Sequence, residues 1–177
     1  MFGCRTLRSA STLTSDYDDL AWLKSVEIAP MTAGDLDEVL YVEQESFPSA
    51  WSRASYERDL ANPNSHYYCA RLQGKLVGYV GMWIILDEAH LTTIAVHSSC
   101  RRRGLGSYLV HLAIDLARRN RAKRMTLEVR EKNIPAIELY RKLGFVRKGC
   151  LRRYYGDTGE NGIVMWRILE VEMGDSC

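Results

Sequence analysis

A strand pattern, a glycine-containing turn and a helix pattern follow one another near the middle of the chain. Leu91 to Val96 is a short apolar run, and the turn that follows it contains Gly104 and Gly106. Behind the glycines, apolar residues recur at helical spacing as far as Leu116, and a second apolar run covers Met125 to Val129. Two strands joined through a helix form a crossover unit in one sheet. The chain is therefore predicted to fold around a mixed α/β sheet.

The residues before this unit supply a strand, two helices and two more strands. A short strand begins at Ser25, and Thr32 and Ser52 are placed to cap the two helices that follow. Apolar residues from Tyr67 to Leu86 predict a hairpin that turns at Gln73-Gly74-Lys75, and its second strand is followed by the one that ends at Val96. The early part of the sheet is therefore predicted to be antiparallel.

The residues after the unit predict one more helix and two more strands. The helix runs from Pro135 to Leu143, and the strands from Phe145 to Tyr154 and from Ile163 to Leu169. The full order is β-α-α-β-β-β-α-β-α-β-β, which predicts an α/β fold with helices on both faces of the sheet.

Length and composition favour one domain. A chain of 177 residues that is 46% hydrophobic can bury one core, which we assign to residues 25–177. Residues 1–24 are interpreted as an N-terminal extension that is flexible or lightly helical. Arg5 and Arg8 lie among serines and threonines there, but Asp16, Asp18 and Asp19 argue against a transit peptide.

Charge and cysteine usage exclude several classes of protein. A net charge of +2 gives little reason to expect direct nucleic-acid binding. The 5 cysteines form no Cys-x-x-Cys pair or zinc pattern, so a reduced, cytoplasmic protein without a metal is predicted. The longest apolar stretch, Val80 to Leu86, is too short to span a membrane.

The turn Arg101 to Ser107 has the composition of a phosphate site. Glycines let backbone N–H groups approach an anion, and the N-terminus of the following helix adds free donors and positive potential. A Walker loop and a dinucleotide fingerprint are excluded, because the Gly-Lys-Ser/Thr ending and the third glycine are both missing. A basic turn that merely precedes a helix remains the alternative at this point.

Two motifs in order resemble those of GNAT-superfamily N-acetyltransferases. The segment Ile94-Ala95-Val96 followed by Arg101-x-x-Gly104-x-Gly106 resembles their motif A, and Asn133 to Phe145 resembles their motif B. The resemblance implies that acetyl-CoA is the co-substrate, without a metal. It also implies the residues that hold this co-substrate: Ile94, Ala95, Val96, Arg101, Arg102, Arg103, Gly104, Leu105, Gly106, Ser107 and Asn133.

Further segments narrow the resemblance to the RimI-type ribosomal protein alanine N-acetyltransferases. The segments that carry it are Glu43, Phe47-Pro48-x-x-Trp51-Ser52, Leu86 to Ala89, Leu127 to Arg130, and Arg152 to Tyr155. The resemblance covers about residues 26–169. It implies acetyl transfer to the N-terminal α-amino group of a protein, specifically a ribosomal protein with N-terminal alanine.

Glu128 and Tyr140 are the candidate catalytic pair. An α-amino group has a pKa of about 8 and is mostly protonated at neutral pH, so a base is useful, and an acid can protonate a departing thiolate. The resemblance assigns Glu128 as base and Tyr140 as acid. From the residues alone, Glu128 is equally compatible with a strand residue that points to solvent or pairs with Arg130, and Tyr140 with a core residue beside Leu143.

Three further segments are predicted to contact the acceptor, because loops on a rigid sheet commonly carry specificity. Their residues are Phe47, Pro48, Trp51, Asp87, Glu88, Arg153, Tyr154 and Tyr155. The acidic pair is suited to a cationic group, whereas the alternative is a solvated turn. Cations at the end of the long helix, from Arg118 to Arg124, are interpreted as a solvated face that complements the helix dipole.

The sequence thus predicts an acetyl-CoA-dependent enzyme that acts as a monomer or weak dimer on a protein N-terminus. Two alternatives remain. The acceptor is another N-terminus, a lysine or a small amine, or the chain is a non-catalytic acyl-CoA-binding module.

Overall fold

The computed structural model describes residues 21–169. Residues 21–24 form a helical turn, and Trp22 and Leu23 in it pack against the core. The rest of the predicted N-terminal extension, residues 1–20, lies outside the described residues.

The described residues form seven strands and four α-helices in the predicted order. The elements are β1 (Val26–Pro30), α1 (Leu36–Ser46), α2 (Arg53–Leu60), β2 (Ser65–Leu72), β3 (Lys75–Ile85), β4 (Glu88–Val96), α3 (Leu105–Arg119), β5 (Arg124–Arg130), α4 (Ile134–Lys142), β6 (Val146–Tyr155) and β7 (Glu160–Ile168). The prediction of a mixed α/β fold is confirmed.

The strands make one sheet in the order β1-β2-β3-β4-β5-β7-β6. Neighbours pair antiparallel except β4 and β5, which are parallel because α3 carries the chain from one end of the sheet back to the other. The β2–β3 hairpin turns at Gln73 and Gly74, and both have positive φ, 51° and 78°, as a two-residue hairpin turn requires.

Local capping follows the predictions with one change. Ser52 caps α2 through a hydrogen bond from the Ser55 backbone N–H to its hydroxyl oxygen, at 3.2 Å. Thr32 forms a capping box with Asp35, but the turn it opens is a 3₁₀ helix over Ala33–Asp35, and α1 starts only at Leu36. The first helix is therefore shorter than predicted.

Helices cover both faces of the sheet and bury a core on each. On one face, apolar residues of α3 such as Leu105 and Leu109 pack on Val80 and Leu127. On the other face, α1 and α2 contribute Leu36 and Tyr56. Full burial of one such side chain stabilises the fold by about 1.5–3 kcal/mol. The two cores fix the sheet from both sides and leave the middle of β4 and β5 as the place where a site can open.

Candidate active site

The parallel strands β4 and β5 separate halfway along their length. They pair from Glu88 with Arg124 to Leu91 with Leu127, and no farther. At that point β4 contains a bulge, because Leu91 pairs with Met82 and Thr93 with Gly81 while Thr92 is left between them. Beyond it, β4 stays paired with β3 and β5 with β7. A gap therefore opens in the sheet, and one backbone edge of β4 faces it.

A cavity of about 480 Å³ occupies this gap. Predicted site residues from six segments line it together: Phe47, Pro48, Trp51, Ile94, Ala95, Val96, Gly106, Glu128, Asn133, Tyr140, Tyr154 and Tyr155. The remaining predicted residues are not part of its lining: Arg101, Arg102, Arg103, Gly104, Leu105, Ser107, Asp87, Glu88 and Arg153. The cavity thus joins the predicted cofactor, catalytic and acceptor segments.

The glycine turn presents the N-terminus of α3 beside the cavity. Gly104 is the N-cap and has φ 84° and ψ −11°, a left-handed conformation that favours glycine. The helical hydrogen bonds begin with the Tyr108 N–H donating to the Gly104 carbonyl, at 3.0 Å. The amides of Leu105, Gly106 and Ser107 therefore have no partner within the helix and can bind an anion.

The arginines before the turn differ in what they contact. Arg101 donates to the Val96 carbonyl oxygen at 2.9 Å and to the Ser46 hydroxyl at 3.1 Å, so it braces the end of β4 against α1. The Arg103 guanidinium lies 4.4 Å from the centre of the Trp22 ring. Arg102 is exposed, with φ 64°. A structural role for Arg101 was not predicted from the sequence.

Glu128 lies at the edge of the cavity with its side chain 19% exposed. One carboxylate oxygen is 3.1 Å from Nε2 of His90 on β4. The other ring nitrogen of His90 is 2.8 Å from the Thr126 hydroxyl. Arg130, considered above as a partner, pairs instead with Asp157, at 2.6 Å. His90 was missed because its proximity to Glu128 depends on the register between β4 and β5.

Tyr140 belongs to both the core and the cavity. It is 5% exposed, and its ring meets Phe145 edge-on with the ring centres 5.7 Å apart. Burial, and then the proximity of Tyr155, raises the pKa of the Tyr140 phenol well above its ordinary value. Tyr140 is thus buried in the core and also lines the cavity. The phenol therefore stays protonated at neutral pH and can act as a proton donor.

Asn133 sits at the start of α4, which carries Tyr140. Its side-chain oxygen accepts a hydrogen bond from the Ala136 N–H at 3.3 Å and caps the helix. Asn133 also lines the cavity. Asn133 therefore caps the helix that carries Tyr140, in addition to the position that it takes in the cavity lining.

The turn between β6 and β7 forms one wall of the cavity, next to Tyr154 and Tyr155, which are predicted to contact the acceptor. Arg130 holds it through Asp157 and lies 4.0 Å from the centre of the Tyr155 ring. Burial raises the pKa of Tyr155 to about 12, against the opposing effect of the Arg130 charge. Burial, followed by the negative charge of Glu128, also raises the pKa of Tyr154. Both phenols are therefore uncharged at neutral pH where they line the cavity near the candidate base.

Asp87 and Glu88 lie at the far end of β4 from the gap. Asp87 pairs with Lys123 at 3.1 Å, and Glu88 pairs with Arg124. They border a second depression of about 340 Å³, which His90 also lines. Arg153 is exposed, and its backbone N–H donates to Asn161. The structure does not bring Asp87 and Glu88 into the main cavity, because they lie at the opposite end of β4. Arg153, on β6, is also not part of the cavity lining.

Residues 21–169 contain no group of three or more His, Cys, Asp or Glu side chains able to hold a metal ion. In the same part of the chain, no helix has the length and apolar character needed to cross a membrane.

Comparison with known proteins identifies the family. The family model described as "Acetyltransferase (GNAT) family" matches residues 36–145, which include the glycine turn, Glu128 and Tyr140. The chain belongs to the GNAT acetyltransferase family. Its mixed α/β fold is thus that of a GNAT acetyltransferase.

The curated relatives include RimI-type enzymes. The chain is 39% identical over 137 residues to the "putative [ribosomal protein bS18]-alanine N-acetyltransferase" of Bacillus subtilis, covering 77% of this chain and 91% of the relative. It is 36% identical over 148 residues to the "N-alpha-acetyltransferase RimI" of Mycobacterium tuberculosis, covering 80% and 92%. The predicted resemblance to RimI-type enzymes is confirmed.

A solved structure agrees with these matches. The crystal structure of the ribosomal-protein-S18-alanine N-acetyltransferase from Escherichia coli superimposes with a TM-score of 0.77 at 28% identity, over 85% of this chain and 97% of that chain. The protein is therefore an N-acetyltransferase of the RimI type with the corresponding fold.

Proposed function

We propose that this GNAT enzyme transfers the acetyl group of acetyl-CoA to the N-terminal α-amino group of a protein, with a ribosomal protein that begins with alanine as the acceptor. One observation carries the proposal: a single cavity in the gap between β4 and β5 is lined by Gly106 of the glycine turn, by Glu128 and Tyr140, and by aromatic residues of the loop over residues 47–52 and of the end of β6. The named activities of the relatives supply the choice of acceptor.

The residues around the glycine turn fit acetyl-CoA. Leu105, Gly106 and Ser107 offer amides without helical partners, which suits a pyrophosphate. The edge of β4 over Ile94–Val96 is not paired with β5 and offers backbone groups to an extended chain that carries amides, although the Val96 carbonyl already accepts from Arg101. Acetyl-CoA, when bound, supplies an activated acetyl thioester. Arg102 and Arg103 would add positive charge near its phosphates, and Asn133 lies farther along the same cavity.

Glu128 is the proposed proton acceptor. Its carboxylate lines the cavity, and the His90 contact on one oxygen leaves the other available to an incoming ammonium group. Removal of one proton from that ammonium exposes the nitrogen lone pair, which would attack the thioester carbonyl. The C–S bond would then break, the nitrogen would lose its second proton, and the CoA thiolate would leave with a proton from the acid. Tyr140 is the proposed donor, since its buried phenol retains its proton at neutral pH and faces the same cavity.

The assay is acetyl transfer to peptides beginning with Ala, Ser or Met, and to a peptide with an internal lysine, detected by intact mass. We expect transfer to the N-terminal amine, with alanine preferred. Glu128→Gln and Tyr140→Phe should each lower turnover by about 10²- to 10⁴-fold while acetyl-CoA affinity stays nearly unchanged. Matched controls are Glu138→Gln, which removes an exposed carboxylate on α4, and Tyr108→Phe on α3.

Transfer only to lysine or a small amine would overturn the proposed acceptor and leave the chemistry in place. Acetyl-CoA binding without transfer to any amine would identify a binding module. A collapse of acetyl-CoA affinity in either catalytic variant would show that the residue is structural.

A further inference from the structure

Glu43 is a buried carboxylate that the proposed chemistry does not use. It lies on the inner face of α1 and is 2% exposed. Among residues 21–169, it is the one charged residue that is buried. Its neighbours on that face are Leu36, Val39 and Val42. Burial of a carboxylate among apolar side chains is costly unless its oxygens are hydrogen-bonded. Its presence at this position therefore requires compensating contacts.

Three uncharged hydrogen-bond donors supply those contacts. Oε1 accepts a hydrogen bond from the backbone N–H of Trp51 at 3.0 Å. Oε2 accepts from the Tyr56 hydroxyl at 2.9 Å and from the Tyr79 hydroxyl. Burial raises the pKa of both phenols far above the ordinary value, so both remain protonated donors. The carboxylate thus joins α1, α2, β3 and the loop before α2.

Two of these contacts lead to walls of the cavity. Trp51 belongs to the loop over residues 47–52, in which Phe47, Pro48 and Trp51 line the cavity. The side chain of Thr93 lies close enough to the Tyr79 phenol to lower its pKa, and Thr93 lines the cavity next to the β4 bulge. Glu43 itself lies against the same cavity. One side chain therefore connects the acceptor loop to the strand that opens the gap.

The loop over residues 47–52 depends on this connection. At its start, the Phe47 N–H bonds to the Glu43 carbonyl at 2.9 Å, and at its end Ser52 caps α2. Between these points, Pro48, Ser49 and Ala50 are exposed. The Trp51 N–H to Glu43 hydrogen bond ties the end of the loop to α1, beside the contact of the Trp51 ring with Tyr56 at 5.5 Å between ring centres. A loop without this hydrogen bond gains conformational freedom.

We propose that Glu43 is a positioning residue for the acceptor: its carboxylate holds the loop over residues 47–52 against the cavity and so determines how tightly the acceptor amine is bound. This role rests on the proposed function, in which that loop contacts the acceptor.

Three variants test the proposal. In Glu43→Leu combined with Tyr56→Phe and Tyr79→Phe, apolar groups replace the carboxylate and both hydroxyls, so no phenol is left unsatisfied and the Trp51 N–H loses its partner. Glu43→Gln is the conservative variant, because its carbonyl oxygen can still accept from Trp51. Glu38→Gln is the matched control: Glu38 also lies on α1 and accepts from a backbone N–H, that of Leu76 at 3.0 Å, but it does not line the cavity.

The first measurement is steady-state kinetics with acetyl-CoA and an alanine peptide. The triple variant should raise KM for the peptide about tenfold, which corresponds to about 1.4 kcal/mol, while kcat and KM for acetyl-CoA change less than about threefold. Glu43→Gln should recover most of the peptide affinity, and Glu38→Gln should leave both KM values unchanged. An equal rise in both KM values, or a peptide KM like that of the unmodified enzyme, would overturn the proposal.

The second measurement needs no substrate. Hydrogen exchange over residues 47–52 should accelerate in the triple variant and not in Glu38→Gln. If the enzyme acetylates only lysine or a small amine, the proposed function is wrong. The role of Glu43 is then tested by measuring KM for that amine in place of KM for the peptide. Unchanged exchange in the triple variant would overturn the role of Glu43 whichever amine is the acceptor.

Discussion

Replacement of Gly104 by alanine should weaken acetyl-CoA binding more than it weakens the fold. Gly104 has φ 84°, and a Cβ built there would lie 3.3 Å from Cδ1 of Leu23. A side chain in the left-handed region costs about 1–2 kcal/mol, and the close contact with Leu23 adds to that cost. A substituted residue relieves this strain by rotating toward negative φ. That rotation would turn the amides of Leu105, Gly106 and Ser107 away from the anion site.

Gly74 is a matched control for the backbone strain. It has φ 78° at the β2–β3 turn, and a Cβ there would meet nothing within 4 Å. Gly74→Ala should therefore lose about the same 1–2 kcal/mol from strain and nothing from crowding. For a chain of this length each kcal/mol lowers Tm by about 2–4 °C, so thermal unfolding should show similar shifts, slightly larger for Gly104→Ala.

The decisive assay is calorimetric titration with acetyl-CoA. Gly104→Ala should bind about tenfold more weakly, a change of about 1.4 kcal/mol, and Gly74→Ala should bind like the unmodified enzyme. Equal binding by all three proteins would refute the assignment of the turn as the phosphate site. Equal weakening in both variants would show that the loss follows from general destabilisation and not from the turn.

Two further predictions concern stability. Phe145→Ala should cost about 3–5 kcal/mol in denaturant unfolding, because Phe145 is 2% exposed and packs on Tyr140; a loss below about 1 kcal/mol would contradict this packing. The hydrogen bond from Arg130 holds the pKa of Asp157 below its usual range, so this pair stabilises the fold above the ordinary aspartate pKa of about 3.9 and ceases to do so as pH falls through the lowered value. Thermal unfolding between about pH 5 and 2 should therefore show a smaller acid-induced loss for Asp157→Asn than for the unmodified protein, and identical slopes would refute the pairing.

The order of the elements was predictable because each element has a local pattern. The period of the apolar residues distinguished α3 from β4, and Ser52 marked the start of α2. The 3₁₀ turn over Ala33–Asp35 was not predicted, since the capping pattern at Thr32 is the same for either kind of helix.

Of the candidate site, motif spacing predicted the residues but not all of their contacts. Glu128, Tyr140 and Gly106 were expected together and do line one cavity. Glu43 had a usable signal, because it follows Leu36 and Val39 by seven and four positions and so shares their buried face. His90 had no local signal, since its contact with Glu128 joins two strands far apart in sequence.

The sequence by itself determined the family, the element order and the chemical types at the site, because these depend on local periodicity and on short motifs. The position of the gap between β4 and β5 is visible only in the tertiary structure. The gap lies where the pairing of β4 with β5 ends at Leu91 and Leu127, next to the bulge at Thr92, and strand register of this kind depends on tertiary contacts. The tertiary structure also shows that Asp87 and Glu88 form ion pairs with Lys123 and Arg124. The sequence did not predict these pairs, because ion pairing between strands depends on their register.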